Sequence, residues 1–197
     1  MARRNPERRA ALLDAAIEVL AADGARGLTF RAVDQRAAVP TGTASNYFAG
    51  REEILTGAGE RVYERLVPDA ATLAAPFDGP RDRARLAELM HDLVERVAAF
   101  PTGFLALLEL RLEAARRPEL REVLTKRIRA DLDFNVENHL KTGLPGDATT
   151  VKLLWLALNW LIIERLTLPD LLAPEERDAL VDALVERLAP GPRPPSP

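Results

Sequence analysis

Apolar side chains near the start of the chain recur every three or four positions. In RRAALLDAAIEVLAADG, Leu12, Ala15, Ala16, Val19 and Leu20 form one stripe that breaks off at Gly24. That period predicts an amphipathic helix. Phe30, Val33 and Ala37 then share a face over a much shorter span, with Thr29 placed to cap its free N–H groups. Pro40 disfavours helical backbone at Val39 and marks a break. A further short helix is predicted over residues 41–48, on which Ala44 and Phe48 face inward. Thr41, Gly42, Thr43, Ser45, Asn46 and Tyr47 then lie outside or at its edges. A connecting helix follows from about Glu52 to Pro68.

The remainder reads as helices punctuated by proline. A loop with Pro76, Gly79 and Pro80 precedes a segment in which Leu86, Met90, Leu93, Val97 and Phe100 repeat at helical spacing, with His91 on a second stripe beside Ala87, Val94 and Ala98. Pro101 opens the next helix, carrying Phe104, Leu105, Leu108 and Leu112 on one side. Pro118 opens another that ends near Gly143 and Pro145. Asp147 can cap a strongly apolar helix over residues 148–168, and Pro174 starts a last amphipathic one. The tail at 190–197, PGPRPPSP, reads as extended or disordered. No repeat and no strand pattern interrupts this, so the predicted class is all-α.

LLWLALNWLII, within the helix over 148–168, is apolar all the way round and must be covered on every side. A second copy of the chain supplies that cover most simply. The last helix, with Ala179, Leu180, Ala183, Leu184 and Leu188, would join it in a four-helix bundle about a two-fold axis; the alternative is a central core helix in a monomer.

The second short helix, over 41–48, has an unusual outer face. A surface helix usually carries Glu and Lys there, whereas this one offers hydroxyls, an amide, a phenol and bare backbone at Gly42, all able to meet phosphates or base edges closely. Two short helices joined by a tight turn are how a protein presents a helix to the major groove of DNA. Arg51, just beyond, is placed as a phosphate clamp at a helix start.

On RRAALLDAAIEVLAADG, LTFRAV and NYFAGREEIL, roughly the first quarter of the chain, the sequence resembles the TetR family of bacterial transcriptional repressors. The resemblance implies an N-terminal three-helix helix-turn-helix DNA-binding domain, followed by an α-helical regulatory and dimerisation domain. We place these at 1–51 and 52–189. By position the family's DNA contacts fall on Thr29, Arg31, Thr41, Gly42, Thr43, Ser45, Asn46, Tyr47 and Arg51. The chain departs from the usual pattern with Ala38 for a turn Gly, Pro40 for a Ser cap, Thr41 for a Lys and Ser45 for a Tyr. Asp34 stands where a small residue is usual, opposite a small Ala44. A size exchange is expected, with the carboxylate bonded to Thr43 or to backbone N–H groups.

Charge sharpens this picture. The 197-residue chain is −3 overall. Yet residues 1–51 hold eight arginines (3, 4, 8, 9, 26, 31, 36 and 51) against five acids (7, 14, 18, 23 and 34), so this head is +3 and the rest −6. A basic head on an acidic body suits a DNA-binding regulator, and Arg3, Arg4, Arg8 and Arg9 could reach the adjacent minor groove. The alternative class, a helical protein–protein adaptor, has no reason to concentrate arginine there. The absence of Cys excludes thiolate catalysis, thiolate metal sites and disulfides, and suits a reducing cytoplasm. An enzyme is not expected: the chain has two histidines, and His91 and Asp92, adjacent on a helix, point about 100° apart. The basic start leads into an amphipathic helix rather than a signal peptide. The apolar run from Val151 to Ile163 is broken by Lys152 and Asn159, so no membrane anchor is expected.

The resemblance also implies a small-molecule pocket in the body, with operator DNA and an effector as partners and no cofactor or metal. Polar groups set among apolar ones mark where to look. His91, Glu109, Asn135, Asn138 and His139 qualify, as does Asn159 between Trp155 and Trp160, with Phe134 and Trp155 as aromatic neighbours. Each could instead bond a neighbour, and Asn159 could serve a dimer seam.

Overall fold

The computed structural model describes residues 5–189, so Arg3, Arg4 and the proline-rich tail lie outside the described residues. Within them every regular element is helical: α1 (Pro6–Gly27), α2 (Phe30–Arg36), α3 (Thr43–Tyr47), α4 (Arg51–Leu66), α5 (Ala70–Ala74) with a 3-10 turn at Ala75–Phe77, α6 (Arg83–Ala98), α7 (Pro101–Ala114), α8 (Pro118–Thr142), α9 (Ala148–Thr167) and α10 (Pro174–Leu188). Local chemistry accounts for most starts. Asn5, Thr29, Asp69, Asp82 and Asp147 each accept backbone N–H groups at an N-terminus, and Pro101 and Pro174 sit in first turns where no N–H is needed. Among the described residues no helix is long and apolar enough to cross a membrane.

By packing, the chain forms two compact units. The first comprises residues 5–67 and 100–128 of the described chain. Its core gathers Leu12, Ala16, Ile17 and Leu20 of α1 with Val33, Ala44, Phe48, Ile54, Leu55, Leu107, Leu110 and Leu120, and Phe30 and Ala37 pack at its margin. The predicted stripe of α1 is thus the one buried. α1 breaks at Gly24, whose φ of +67° is the left-handed region that glycine tolerates. The break leaves the Ala25 N–H outside the helix ladder, and Glu109 of α7 accepts it at 3.0 Å.

The second unit comprises residues 68–99 and 129–189 of the described chain. α6, α9 and α10 pack on one another around Leu86, Leu144, Leu154, Val185 and Ala189. The outer face of α9 stays bare: Leu153, Leu156 and Trp160 are 43%, 59% and 62% exposed, and Leu180 of α10 is 41% exposed. The all-round apolar helix is therefore covered on one side only within the chain. α8 runs through both units, its first part in one and the part from Arg129 in the other.

Candidate functional site

In the first unit, α2 and α3 stand as the two predicted short helices, though α3 is shorter than expected, starting at Thr43 with Gly42 as its cap at φ +92°. Gly42 has no side chain to cap with, and the service comes from α2. The Asp34 carboxylate, 2% exposed, accepts the Gly42 N–H at 2.7 Å and the Ala44 N–H at 2.6 Å. Of the two partners expected for it, it takes backbone N–H groups rather than Thr43, and small Ala44 leaves it room. Ala38, where the family pattern favours Gly, has φ +52°, the left-handed conformation that glycine adopts without strain.

The outer face of α3 and the turn before it is polar and open. Thr41, Ser45 and Asn46 are exposed, Gly42 and Thr43 half-buried, and Tyr47 rests partly on the core. Two hydroxyl protons are committed nearby: Thr43 donates to the Pro40 carbonyl at 2.6 Å and Ser45 to the Gly42 carbonyl at 2.9 Å. Their free lone pairs can still accept from base amino groups. Thr29 is arranged oppositely, since its oxygen accepts the Ala32 N–H at 3.1 Å and its proton stays available to a phosphate. Arg31 is exposed.

Arg51 is elsewhere. Its guanidinium donates to the Leu28 carbonyl at 3.2 Å and to the Ala25 carbonyl, and lies 3.8 Å from Glu113. The whole basic-acidic-acidic run is engaged within the unit: Glu52 pairs with Arg117, and Glu53 accepts the Ala49 N–H at 2.8 Å and pairs with Arg9. The Arg117 side chain holds the Glu113 carboxyl below the usual carboxylate range, with Arg51 adding to the effect. Arg51 thus stitches the carbonyls beside the Gly24 break to α7 and does not stand free as a clamp. Arg9 likewise stacks over Phe48 at 5.1 Å, while Arg8 is exposed.

The second unit encloses a cavity of about 520 Å³ between α5, α6, α8 and α9. Of the expected residues, Phe134, Asn135, Asn138, His139, Trp155 and Asn159 line it. His91 and Glu109 do not. His91 faces α10, its Nε2 2.9 Å from Asp182, and Glu109 belongs to the first unit as the partner of Ala25. The predicted stripe of α6 supplies the opposite wall through Leu86, Met90 and Leu93, while Leu86 and Met90 also pack into the core of the unit. Pro68, Ala71, Thr72 and Leu73 close one side. Ala71, Thr72 and Leu73 come from the stretch between the predicted connecting helix, which ended at about Pro68, and the loop at Pro76, where no periodicity signalled a wall.

Residues 12–58 match the family model "Bacterial regulatory proteins, tetR family", and residues 81–191 match "Tetracyclin repressor-like, C-terminal domain". The HTH-type transcriptional regulator BetI of Agrobacterium fabrum is 28% identical over 130 residues, 64% of this chain and 62% of the relative, so the chain covers less than two thirds of that protein's length. A TetR-family member from Streptomyces coelicolor A3 superposes with a TM-score of 0.69 at 29% identity, covering 94% of this chain and 99% of that one. The multidrug binding protein EbrR, complexed with imidazole, gives 0.65 at 27% identity over 96% and 98% of the two chains.

Proposed function

The chain belongs to the TetR family of bacterial regulatory proteins, a family of regulators and not of enzymes, and on that premise we propose that it is a dimeric repressor released from a palindromic operator by a small molecule. The single observation that carries the reading is the recognition face. Asn46, Ser45 and Thr41 stand exposed on a helix whose first turn is locked to α2 by the buried Asp34 carboxylate. A helix held at its N-terminal end and polar on its free side is suited to base readout.

Residues 1–51 form the DNA-binding head in this reading and 52–189 the regulatory and dimerisation body. Thr29, Arg31, Thr41, Gly42, Thr43, Ser45, Asn46 and Tyr47 are the contact set, with Asn46 the base reader. Two copies meet through α9 and α10, because Leu153, Leu156, Trp160 and Leu180 form an apolar face too large to leave in water. The cavity is the effector site, and its size and apolar lining suit that use. The effector acts by binding one head spacing better than another. Work on an operator puts the protein in the cytoplasm.

The test is selection of genomic fragments by the purified chain, followed by sedimentation of the complex. A recovered inverted repeat with half-sites about 34–36 Å apart or a multiple of that, bound by two chains, is the expected result. Recovery of no preferred sequence, or a stable monomer at micromolar concentration, would overturn the reading.

A further inference from the structure

Asn46 stands at the centre of the recognition face. It follows buried Ala44 by two residues, about 200° round the helix axis, so its side chain points away from the core, and its amide makes no hydrogen bond among the described residues. The amide oxygen and the NH2 group are both open to DNA. The hydroxyls near it differ. Thr43 gives its proton to the Pro40 carbonyl at 2.6 Å and Ser45 to the Gly42 carbonyl at 2.9 Å, in the turn that the Asp34 carboxylate holds through the Gly42 and Ala44 N–H groups. With its one proton spent, each oxygen can only accept.

Positive charge is missing from the same face. Residues 41–47 include no Lys or Arg, and the Arg51 guanidinium is bonded to the Ala25 and Leu28 carbonyls. The commonest reader of guanine, an Arg or Lys on its O6 and N7, is therefore absent from α3.

We infer that each half-site presents an adenine to Asn46 and an adenine or cytosine to Thr43 and Ser45, so that the bases these three residues read are chosen by their exocyclic amino groups. This rests on reading α3 as the recognition helix. In the major groove only adenine N6 and cytosine N4 donate, whereas the polar atoms of guanine and thymine there are acceptors alone. Hydroxyls that can only accept thus separate A or C from G or T. A guanine or thymine opposite Thr43 or Ser45 would set a carbonyl oxygen against an oxygen with no proton to give, leaving both unpaired. The free amide of Asn46 narrows the choice further, since its oxygen takes the N6 proton while its NH2 meets N7, a pairing that only adenine completes.

The test selects operators from random duplexes with the full chain and again with Asn46→Ala, Ser45→Ala and Thr43→Val; the position at which a variant loses preference is the one its residue reads. Asn46→Ala should relax an adenine, and the other two an adenine or a cytosine. A second measurement uses the unaltered chain, so no folding defect enters: bases of the selected operator are replaced one at a time by analogues that still pair. At the Asn46 adenine, purine, which lacks the amino group, and 7-deazaadenine, which lacks N7, should each weaken binding about tenfold, and Asn46→Ala should respond to neither. At a hydroxyl position, loss of the amino group should weaken binding about fivefold, while loss of N7 from an adenine there changes nothing. A guanine or thymine at a position relaxed by any of the three variants overturns the inference, as does an operator in which no adenine responds to both analogues, or a set of variants that relaxes no position. Recovery of no preferred sequence removes α3 as a recognition helix and the inference with it. A preferred inverted repeat that is read through guanine or thymine at these positions leaves the repressor reading standing and overturns the inference alone.

Discussion

Replacing Asp34 by Ala attacks the one connection that fixes the proposed recognition helix from outside itself. The carboxylate is 2% exposed and accepts two backbone N–H groups, from Gly42 at 2.7 Å and Ala44 at 2.6 Å. Hydrogen bonds to a charged group contribute about 1.5–3 kcal/mol each, and the Ala44 N–H would be left buried without a partner. Against that, the variant no longer pays to desolvate a carboxylate, which recovers part of the loss. We expect Asp34→Ala to cost about 2–4 kcal/mol in denaturant unfolding, and Asp34→Asn about half as much because one oxygen remains to accept. The loss should be local first: hydrogen exchange at Gly42 and Ala44 should quicken before α1 is affected, and operator affinity should fall at temperatures where the chain is still folded. A stability change below about 1 kcal/mol, with both amides still protected, would refute the reasoning, because the bonds would then contribute no more than an ordinary neutral pair.

Asn46→Ala should lose about 1–3 kcal/mol at one base pair and relax the preference there, as measured on operator variants. Arg51→Ala should lower the melting temperature and leave the salt slope of DNA binding unchanged, since its guanidinium is bonded to the Ala25 and Leu28 carbonyls rather than free; a slope lower by about one would return it to the phosphate contacts. Trp160→Glu should shift sedimentation towards monomer, because it places a charge on the exposed apolar face of α9. His139 has its pKa lowered by burial, so its unfolded form binds a proton more readily and its contribution to stability falls as pH drops through the ordinary histidine range towards its folded value. Denaturation midpoints from about pH 7 to about pH 5.5 should therefore fall less in His139→Phe than in the parent, and equal falls would contradict this.

What the sequence determined by itself was set by short-range physics. Caps at Thr29 and Asp147 and first-turn prolines at Pro101 and Pro174 act within one helical turn, so their residues suffice to place the helix starts. The pairing of Asp34 with the start of α3 spans ten residues at most and was legible from the size exchange with Ala44. The surplus of apolar surface on α9 was legible too, because LLWLALNWLII is apolar all round and Leu153, Leu156 and Trp160 stay exposed on it. The tertiary structure decided the rest. Arg51 and Glu109 looked like surface and pocket groups, yet the break at Gly24 exposes an N–H and carbonyls that only a neighbouring helix brings them to meet. Periodicity likewise gives the angle of a side chain about its own axis but not what lies opposite. His139 and His91 were equal candidates on that basis, and the packing of α5, α6, α8 and α9 put one at a cavity and the other against Asp182, because a void is a property of several helices together and of no single one.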